Sequence, residues 1–564
     1  MIADLSPALI LIVGGLLLPL VPRPVRGYAM IALPVLALAH FLTLPMGEHG
    51  KIVLMGLELT TIRLDKLSYV FTLIFLIAAG LAAIYSLYEK DPVQQVAGMV
   101  YAGSAIGAVL AGDLVTLFFF WEGTAISSVF LIWASRNERA YHTGMRYLII
   151  QVGSGVLLLA GVMMHYRATG SIAFGALGLD GSIGNLLIFL AFGIKCAFPL
   201  MHNWLQDAYP EATVTGTVVL SSFTTKLAVY SLARGYAGTE VLVPIGALMT
   251  AFPIFYAVIE NDLRRVLAYS LNNQLGFMVV GIGIGTELAI NGAAAHAFCH
   301  ILYKSLLFMS MGAVLLRVGT VKGSELGGLF KSMPWTTAFC IVGAASISAV
   351  PLFSGFVSKG MIIAAAMDGG YFWTWMVLLF ASAGVFHHSG IKIPFFAFFA
   401  HDSGKRCEEA PTSMLVAMGL TAALCIGIGV YPDPLYAILP FKVQFAPYTL
   451  DHVVTQLQLL VFSALAFTVL MRTGIYPPEL RSINIDTDWF YRKLGYGVVT
   501  CAAAGVGAMS RQTTALLARC WTAVRDTTER HHAADGVMGR TWPTGTMAFW
   551  TTVILGAYLL FSYL

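Results

Sequence analysis

Long apolar stretches follow one another along almost the whole chain, and polar residues are confined to short segments between them. A helix needs roughly 20 mostly apolar residues to cross the hydrocarbon core of a bilayer. About fifteen stretches meet that requirement, followed by a last one near the C-terminus: 2–22, 27–46, 66–88, 94–111, 113–134, 144–166, 184–203, 212–234, 241–259, 265–285, 289–316, 336–358, 371–399, 412–431, 452–471 and 545–563. The pattern predicts an all-α polytopic membrane protein with about 14–16 transmembrane helices.

The composition agrees with a chain dissolved in lipid. Hydrophobic residues make up 58% of the sequence and charged residues only 11%, whereas soluble domains carry about 25% charged residues. Charge this sparse does not cover the surface of a soluble protein of this size. The formal net charge of +4 is small and does not indicate a nucleic-acid partner.

The cysteines and the polar residues give no sign of a cofactor. Seven cysteines are present, and none forms a CxxC pair, so no iron–sulfur cluster or structural zinc is expected. No nucleophile stands beside a base at helical spacing, so this chain is not expected to be an enzyme by itself.

Basic residues in the loops predict an orientation. Placing the N-terminus outside gives the cytoplasmic loops most of them: Arg23, Arg26, Lys90, Arg136, Arg139, Arg146, Arg264, Arg265, Arg317, Lys322, Lys331, Lys405 and Arg406. The other loops hold fewer: Lys51, Arg63, Arg167, Arg234 and Lys442. The positive-inside rule therefore predicts a multi-pass protein of the bacterial inner membrane with its N-terminus outside.

A polar segment, residues 476–544, separates the last two predicted spans. Its apolar part, Val498–Met509, is too short to span comfortably. The segment from about Tyr491 to His531 is either one amphipathic helix lying along the membrane surface or a cytoplasmic helical tail. Sequence alone leaves both interpretations open.

Five predicted helices carry ionisable residues at bilayer depth, where Lys or Asp costs roughly 2.5–3.5 kcal/mol on insertion scales. These residues are Glu122, Lys195, Lys226, the group His296, His300 and Lys304, and Lys392. Static ion pairs between helices are one explanation for such residues. Their recurrence in five helices favours a function in moving protons or monovalent cations.

The three ionisable residues His296, His300 and Lys304 are spaced by four, which places them on one face of a helix. Because histidine titrates near neutral pH, this face is typical of a proton relay. A zinc site is the rival interpretation, and the neighbouring Lys304 cation argues against it. Glu122 is the expected partner of a buried lysine, and a lysine whose protonation depends on a movable carboxylate is a switch.

Proline and glycine predict breaks in the helices that carry these charges. Pro199 follows Lys195, and Lys392 lies between Gly390 and Pro394, while Val350–Pro351 interrupts another span. Broken helices are tolerated in a membrane beside a cavity or packed protein. Two lysines beside such breaks favour two inverted five-helix repeats. The predicted organisation is 1–90 as N-terminal helices, 91–236 and 237–435 as the two halves, 436–475 as a further helix, 476–544 as the polar segment and 545–564 as the final helix.

Several motifs run in a fixed order over roughly residues 60–435. They are RLDKLSYVFTLIF at Arg63, FFFWEG at Phe118, FGIKCAFPLMHNWLQDAYPEA at Phe192, TTKLAVYSLARG at Thr224, RRVLAYSLNNQLGFM at Arg264, HAFCHILYKSLLFMSMGAV at His296, KSMPW at Lys331 and AVPLFSGFVSKG at Ala349. Together they resemble the antiporter-like membrane subunits shared by Mrp-type Na⁺/H⁺ antiporters, respiratory complex I and membrane-bound hydrogenases. The D subunit of Mrp antiporters is the nearest likeness.

The resemblance implies two half-channels joined by a hydrophilic axis. It matches Glu122 to the helix glutamate, Lys195 to the broken-helix lysine and Lys226 to the bridging lysine. The His296, His300 and Lys304 face matches the family's relay, and Lys392 matches the distal broken-helix lysine.

By this resemblance the chain is a proton-translocating subunit of a multi-subunit Na⁺/H⁺ antiporter. Its expected partners are other membrane subunits, protons, monovalent cations and the bilayer. A proton-pumping subunit of a redox-driven complex and a coupling subunit for inorganic carbon uptake remain alternatives. The stretch that begins at Glu211 lacks the family's proline, and the tail beyond about residue 475 is longer than in a plain D subunit.

Overall fold

The computed structural model describes residues 4–477, 479–480 and 484–564. They form two compact units, Met1–Asn484 and Ile485–Leu564. The helices of the first unit are α1 Pro7–Leu17, α2 Arg23–Phe41, α3 Lys66–Tyr85, α4 Pro92–Leu110, α5 Leu114–Trp133, α6 Glu138–Thr169, α7 Ile183–Lys195, α8 Asn203–Glu211, α9 Val214–Ser222, α10 Thr224–Gly235, α11 Leu242–Ile259, α12 Leu263–Ile284, α13 Glu287–Val318, α14 Pro334–Ile347, α15 Ser354–Asp368, α16 Phe372–Val385, α17 Lys392–Pro394, α18 Thr412–Val430, α19 Asp433–Ala437 and α20 Leu450–Thr473.

Within the described residues, 11 helices are long and apolar enough to cross a membrane. The chain is thus a multi-pass, essentially all-α membrane protein, as the apolar pattern predicts. Several predicted spans are shorter or divided in the structure: 2–22 becomes α1 and a 3₁₀ turn, and 212–234 becomes α9 and α10. Apolar length predicts where the chain lies in lipid but does not reveal a break inside a span.

Short polar side chains fix where many helices begin. Asp65 caps α3 by accepting from the Ser68 backbone N–H, and the Ser68 hydroxyl accepts from the Asp65 backbone N–H at 2.8 Å, which completes a capping box. Asp113 caps α5 and Asp262 caps α12 by accepting two backbone N–H groups each. A side-chain oxygen at this position satisfies donors that have no partner within the helix.

A β-hairpin follows α2 and was not predicted from the sequence. Its strands are β1 Gly47–Leu54 and β2 Leu57–Leu64, paired antiparallel from Gly47↔Leu64 to Leu54↔Leu57. The Thr60 backbone N–H donates to the Asp113 carboxylate at 2.8 Å. The hairpin thereby covers the start of α5, and we call this end of the first unit the hairpin face.

Loops rich in arginine and lysine meet at another face. The Leu263 N–H donates to the Val321 carbonyl at 3.0 Å, and the Gly323 N–H donates to the Asn261 carbonyl at 2.9 Å. Lys331 pairs with Asp402 at 2.7 Å in the next connection. Hydrogen bonds from Arg406 and Lys331 hold the pKa of the Asp402 carboxyl well below its usual range. We call this end of the first unit the basic face.

Two helices are interrupted in the same way. Between α7 and α8, Ala197 and Leu200 have φ values of 61° and 69°, and between α14 and α15, Ala349 and Leu352 have values of 56° and 73°. Both interruptions contain the sequence Ala-x-Pro-Leu. Positive φ is uncommon for residues other than glycine and concentrates at functional sites. The matched breaks are what a duplicated pair of halves would produce.

The predicted break at Lys392 takes a different form. The chain stays helical from α16 through a π-helical turn at Phe386–Ile391, α17 and a second π-helical turn at Phe395–Phe399. Pro394 removes one backbone donor, and the widened turns absorb this loss without ending the helix. The second interrupted helix is therefore the α14–α15 pair that Val350–Pro351 predicts, and the prediction of a broken helix at Lys392 is wrong.

The second unit contains a π-helical turn at Phe490–Gly495, α21 Tyr496–His532 and α22 Thr544–Tyr563. The long helix α21 confirms that the predicted segment is helical. Its position on the membrane surface stays a prediction. The last helix, α22, matches the final predicted span.

Candidate ion-translocation site

All the predicted lysines and the relay histidines lie inside the first unit. Lys195, Lys226, Lys304 and Lys392 have no solvent-exposed surface, and the same holds for the pair His296 and His300. Glu122 is half-buried. The structure thus brings titratable groups from both halves of the chain into one interior.

Lys195 joins the end of α7 to the middle of α5. Its Nζ donates to the Trp121 carbonyl at 2.6 Å and to Thr124 Oγ1 at 2.9 Å. The same ammonium lies 4.4 Å from the centroid of the Trp121 ring. Glu122 stands between these contacts in sequence, and its charge interacts with that of Lys195 through the interior. This arrangement lets the carboxylate influence whether the lysine keeps its proton.

Gly155 makes room for Glu122. A Cβ atom built on Gly155 of α6 would overlap the Glu122 carboxylate oxygen Oε1. That oxygen has no hydrogen-bond partner among the described residues. The carboxylate is therefore held in place by packing, and the neighbouring glycine is part of its position.

Replacing Gly155 with alanine is expected to push the Glu122 carboxylate away from its position and to lower ion transport by about tenfold or more, since misplacing a reacting group is costly. Gly153→Ala is the matched control, because a Cβ there meets nothing within 4 Å on the same helix. Transport by membrane vesicles checks both variants. Equal transport by the two variants would show that the position of Glu122 is not critical.

Lys226 uses the break between α9 and α10. Phe223 separates the two helices, and Lys226 Nζ donates to the Ser221 carbonyl at 2.5 Å. The hydroxyl oxygens of Ser222 and Ser305 lie 3.1 Å apart, and this hydrogen bond joins α9 to α13. The break lets a lysine from the first half reach the relay helix of the second.

The relay face of α13 has the spacing predicted from the sequence. The rings of His296 and His300 are 6.3 Å apart. His296 is bonded on both sides, through Nε2 to Gln274 Oε1 and through Nδ1 to Ser358 Oγ, each at 3.1 Å. The adjacent Tyr303 hydroxyl also donates to Gln274 at 3.2 Å.

The other two members of this face have free polar atoms. In the part of the chain that the structure describes, both ring nitrogens of His300 and the Nζ of Lys304 lack a hydrogen-bond partner. Most buried polar groups in native proteins are hydrogen-bonded, and internal water commonly bonds those that lack a protein partner. Such groups suit a path in which protons pass between side chains through water.

Lys359 is a buried lysine that the sequence argument missed. It lies in α15, just after the second interruption, and is 1% exposed. Its Nζ donates to the carbonyl of Ile347, the last residue of α14, at 3.0 Å and lies 5.1 Å from the Phe277 ring centroid. The sequence does contain a signal for it, because Lys359 is the second-last residue of the motif AVPLFSGFVSKG and follows Pro351 by eight positions.

The series ends at His388 and Lys392. His388 Nδ1 lies 2.9 Å from Ser389 Oγ, which donates to Ser270 Oγ at 2.7 Å. Lys392 Nζ donates to the carbonyls of Val258 at 2.6 Å and Glu260 at 2.7 Å, where α11 ends. These carbonyls have no partner within α11, so the lysine caps the helix next to the basic face.

The buried charges fall into a pair and a series. Glu122 and Lys195 interact with each other. His300 interacts with the charges of Lys226, Lys304 and Lys359. His388 interacts with those of Lys304, Lys359 and Lys392. The series therefore runs from Lys226, across the relay face, to Lys392.

Comparison with known proteins identifies the family. The family described as "NADH:quinone oxidoreductase/Mrp antiporter, TM" matches residues 111–387. The D subunit of the Na⁺/H⁺ antiporter of Alkalihalophilus pseudofirmus is 30% identical over 371 residues, which cover 61% of this chain and 73% of that protein. The chain belongs to this family. Its members include membrane subunits of Mrp antiporters and of quinone oxidoreductases.

Other members of the family extend well beyond the matched region. Hydrogenase-4 component B of Escherichia coli is 26% identical over 416 residues, and the chain spans 62% of its length. The A subunit of the Na⁺/H⁺ antiporter of Bacillus subtilis is 28% identical over 535 residues, which cover 84% of this chain and 66% of that protein.

Solved structures share the fold. A chain of the Mrp complex from a Dietzia species matches with a TM-score of 0.78 and 24% identity, covering 93% of this chain and 62% of that one. A chain of the archaeal membrane-bound sulfane sulfur reductase matches with a TM-score of 0.72 and 21% identity, covering 98% of this chain and 99% of that one. A chain of respiratory complex I from Thermus thermophilus matches with a TM-score of 0.67 and 20% identity, covering 77% of this chain and 99% of that one.

Proposed function

We propose that this chain is a proton-translocating subunit of a multi-subunit monovalent cation/proton antiporter of the Mrp type, with Na⁺ as the exchanged cation. The observation that carries the proposal is the presence of the Glu122–Lys195 pair and of the buried series from Lys226 to Lys392 in one interior. Its family includes Mrp antiporter subunits, which supports the proposal. In this role the chain is part of a transporter and is not itself an enzyme.

The first step is a charge switch between Glu122 and Lys195. While Glu122 is ionised, its field favours the protonated ammonium of Lys195. When Glu122 takes up a proton, that field is lost, and the buried lysine releases its proton into the interior. Trp121 and Thr124 hold the ammonium in the position from which the proton leaves.

The released proton then passes along the relay face. When protonated, Lys226 and Lys304 both act on His300, so a proton on either lysine disfavours a proton on the histidine. His300 accepts at one ring nitrogen and donates from the other, with water between the groups. Lys359 and Lys392 receive the proton in turn and release it near the basic face.

We infer that the basic face is cytoplasmic and that the N-terminus lies outside, in a bacterial cytoplasmic membrane. The concentration of arginine and lysine in the loops of that face supports this orientation. Asp4, near the N-terminus, accepts from the Gly50 N–H of the hairpin, which agrees with the N-terminus being on the other side. Other membrane subunits of the complex are the proposed partners, as in the solved Mrp complex.

Everted membrane vesicles test the proposal. The chain is expressed with the genes beside its own in a strain that lacks Na⁺/H⁺ antiporters, and respiration acidifies the vesicle interior. Adding Na⁺ or Li⁺ is expected to collapse the pH gradient, while choline at equal ionic strength is the control. A gradient unaffected by Na⁺, Li⁺ and K⁺ would contradict the antiporter function.

A second candidate is a proton pump driven by a redox partner. The similarity to hydrogenase-4 component B over 65% of this chain favours it. In the same vesicles, it predicts acidification with an electron donor beyond the host background and no response to cations.

A further inference from the structure

The segment that follows α20 folds back against the helix that carries Lys392. Gly474 ends α20 with φ 72°, and the Tyr476 N–H donates to the Leu470 carbonyl at 3.0 Å. The Tyr476 ring stacks on His387 with centroids 5.4 Å apart and an interplanar angle of 10°. Phe467 packs against the same ring at 5.3 Å. Tyr476 is thereby fixed against the helix that carries His387 and Lys392.

Glu479 of this segment forms an ion pair with Lys392. Its Oε1 lies 2.9 Å from Lys392 Nζ, and the two side chains are 6% and 0% exposed. An ion pair this deeply buried depends on both partners, because removal of either leaves an uncompensated charge in a low-dielectric interior. The Glu479–Lys392 pair is thus almost completely enclosed by protein.

The neighbours of this pair lead to the basic face. Glu260, at the end of α11, accepts from the Asn484 side-chain amide at 3.3 Å and lies 4.0 Å from Arg265. Glu260 also interacts electrostatically with Glu479 and Lys392. On the interior side, His387 and His388 interact with the charge of Lys392. The pair stands between the buried histidines and the surface.

We propose that Glu479 is the terminal proton acceptor and donor of the path, exchanging one proton with Lys392 at the basic face. In the forward step an N–H bond of the Lys392 ammonium breaks, and an O–H bond forms on the Glu479 carboxylate. The nitrogen keeps its electron pair, so an ion pair becomes two neutral groups, and the reverse step restores it. Burial disfavours the charged form of each group, which narrows the free-energy difference between the ion pair and the neutral pair.

This inference rests on the proposed function and adds to it the exit group of the path. Glu479 comes from outside the two halves, in the segment that leads toward the second unit. Glu122 serves Lys195 from a helix of the first half. The two ends of the path therefore use carboxylates of different origin.

The test compares three variants of the whole complex in the vesicle assay. Glu479→Gln is expected to lower cation-driven proton exchange by on the order of a hundredfold, the usual contribution of a positioned proton donor. Glu479→Asp should restore part of the rate, because it keeps a titratable carboxyl. Glu408→Gln is the control, since that glutamate is an exposed partner of Arg317 and its loss changes net charge equally.

A double variant guards against failure of Glu479→Gln to assemble. Glu479→Gln combined with Lys392→Met leaves no unpaired buried charge and is expected to assemble but to stay inactive. Wild-type exchange by an assembled Glu479→Gln would overturn this inference alone if Lys195→Ala is inactive in the same experiment. Wild-type exchange by the double variant would also remove Lys392 from the proposed path, and an active Lys195→Ala would contradict the proposed function itself.

Discussion

Replacing Lys195 with alanine is expected to reduce proton–cation exchange by a hundredfold or more, on the order of what a positioned proton donor contributes. Lys195 is the ammonium that α5 holds beside Glu122. Without Lys195, a proton taken up at Glu122 no longer causes a neighbouring lysine to release its own proton. The rate of gradient collapse in everted vesicles, normalised to the amount of assembled complex, measures the effect.

The control for this variant is Lys331→Ala, because Lys331 is half-exposed and pairs with Asp402 on the basic face. It should exchange protons at close to the wild-type rate. Glu122→Ala should resemble Lys195→Ala, since the two residues act as one switch. Full exchange by an assembled Lys195→Ala complex would show that the lysine is a structural residue only.

The second large effect is expected for Lys359→Ala. Lys359 follows the second interruption as Lys195 precedes the first, and its Nζ donates to the carbonyl that ends α14. Its charge, like that of Lys304, acts on both His300 and His388. Its loss should remove a proton-carrying group from the proposed path and lower exchange by on the order of a hundredfold.

The comparison for this variant is Lys322→Ala. Lys322 lies half-exposed in the α13–α14 connection and pairs with Glu325, so its removal should change exchange little. A Lys359→Ala complex that exchanges protons as fast as Lys322→Ala would mean that the path bypasses α15.

The sequence predicted the fold where the physics is local. Apolar length located the membrane helices, and Asp113 or Asp262 before an apolar run marks a helix start. The hairpin at Gly47–Leu64 was missed because its strands are partly exposed and lie between two apolar spans, and one of their anchors is Asp113, distant in sequence. The matching Ala-x-Pro-Leu interruptions are visible in the sequence, but their shared positive φ values are not.

The candidate site was predictable where residues share a helix. The spacing of His296, His300 and Lys304 determines their common face without knowledge of any other helix. The contact of Lys392 with Glu479 was not predictable, because it depends on how the segment after α20 packs. Lys359 was missed for another reason. Pro394 beside Lys392 predicted a break in that helix, whereas the second interruption lies between α14 and α15, just before Lys359.

We propose that protons move through this chain along its buried charges in exchange for a cation. The most direct measurement is the initial rate of proton movement in liposomes that contain the purified complex, a trapped pH dye and an imposed Na⁺ gradient, without any electron donor. We expect Na⁺-dependent proton movement in the wild type and none above empty liposomes in Lys195→Ala and Lys359→Ala. Proton movement at the wild-type rate in both variants, or none in the wild type, would contradict the claim.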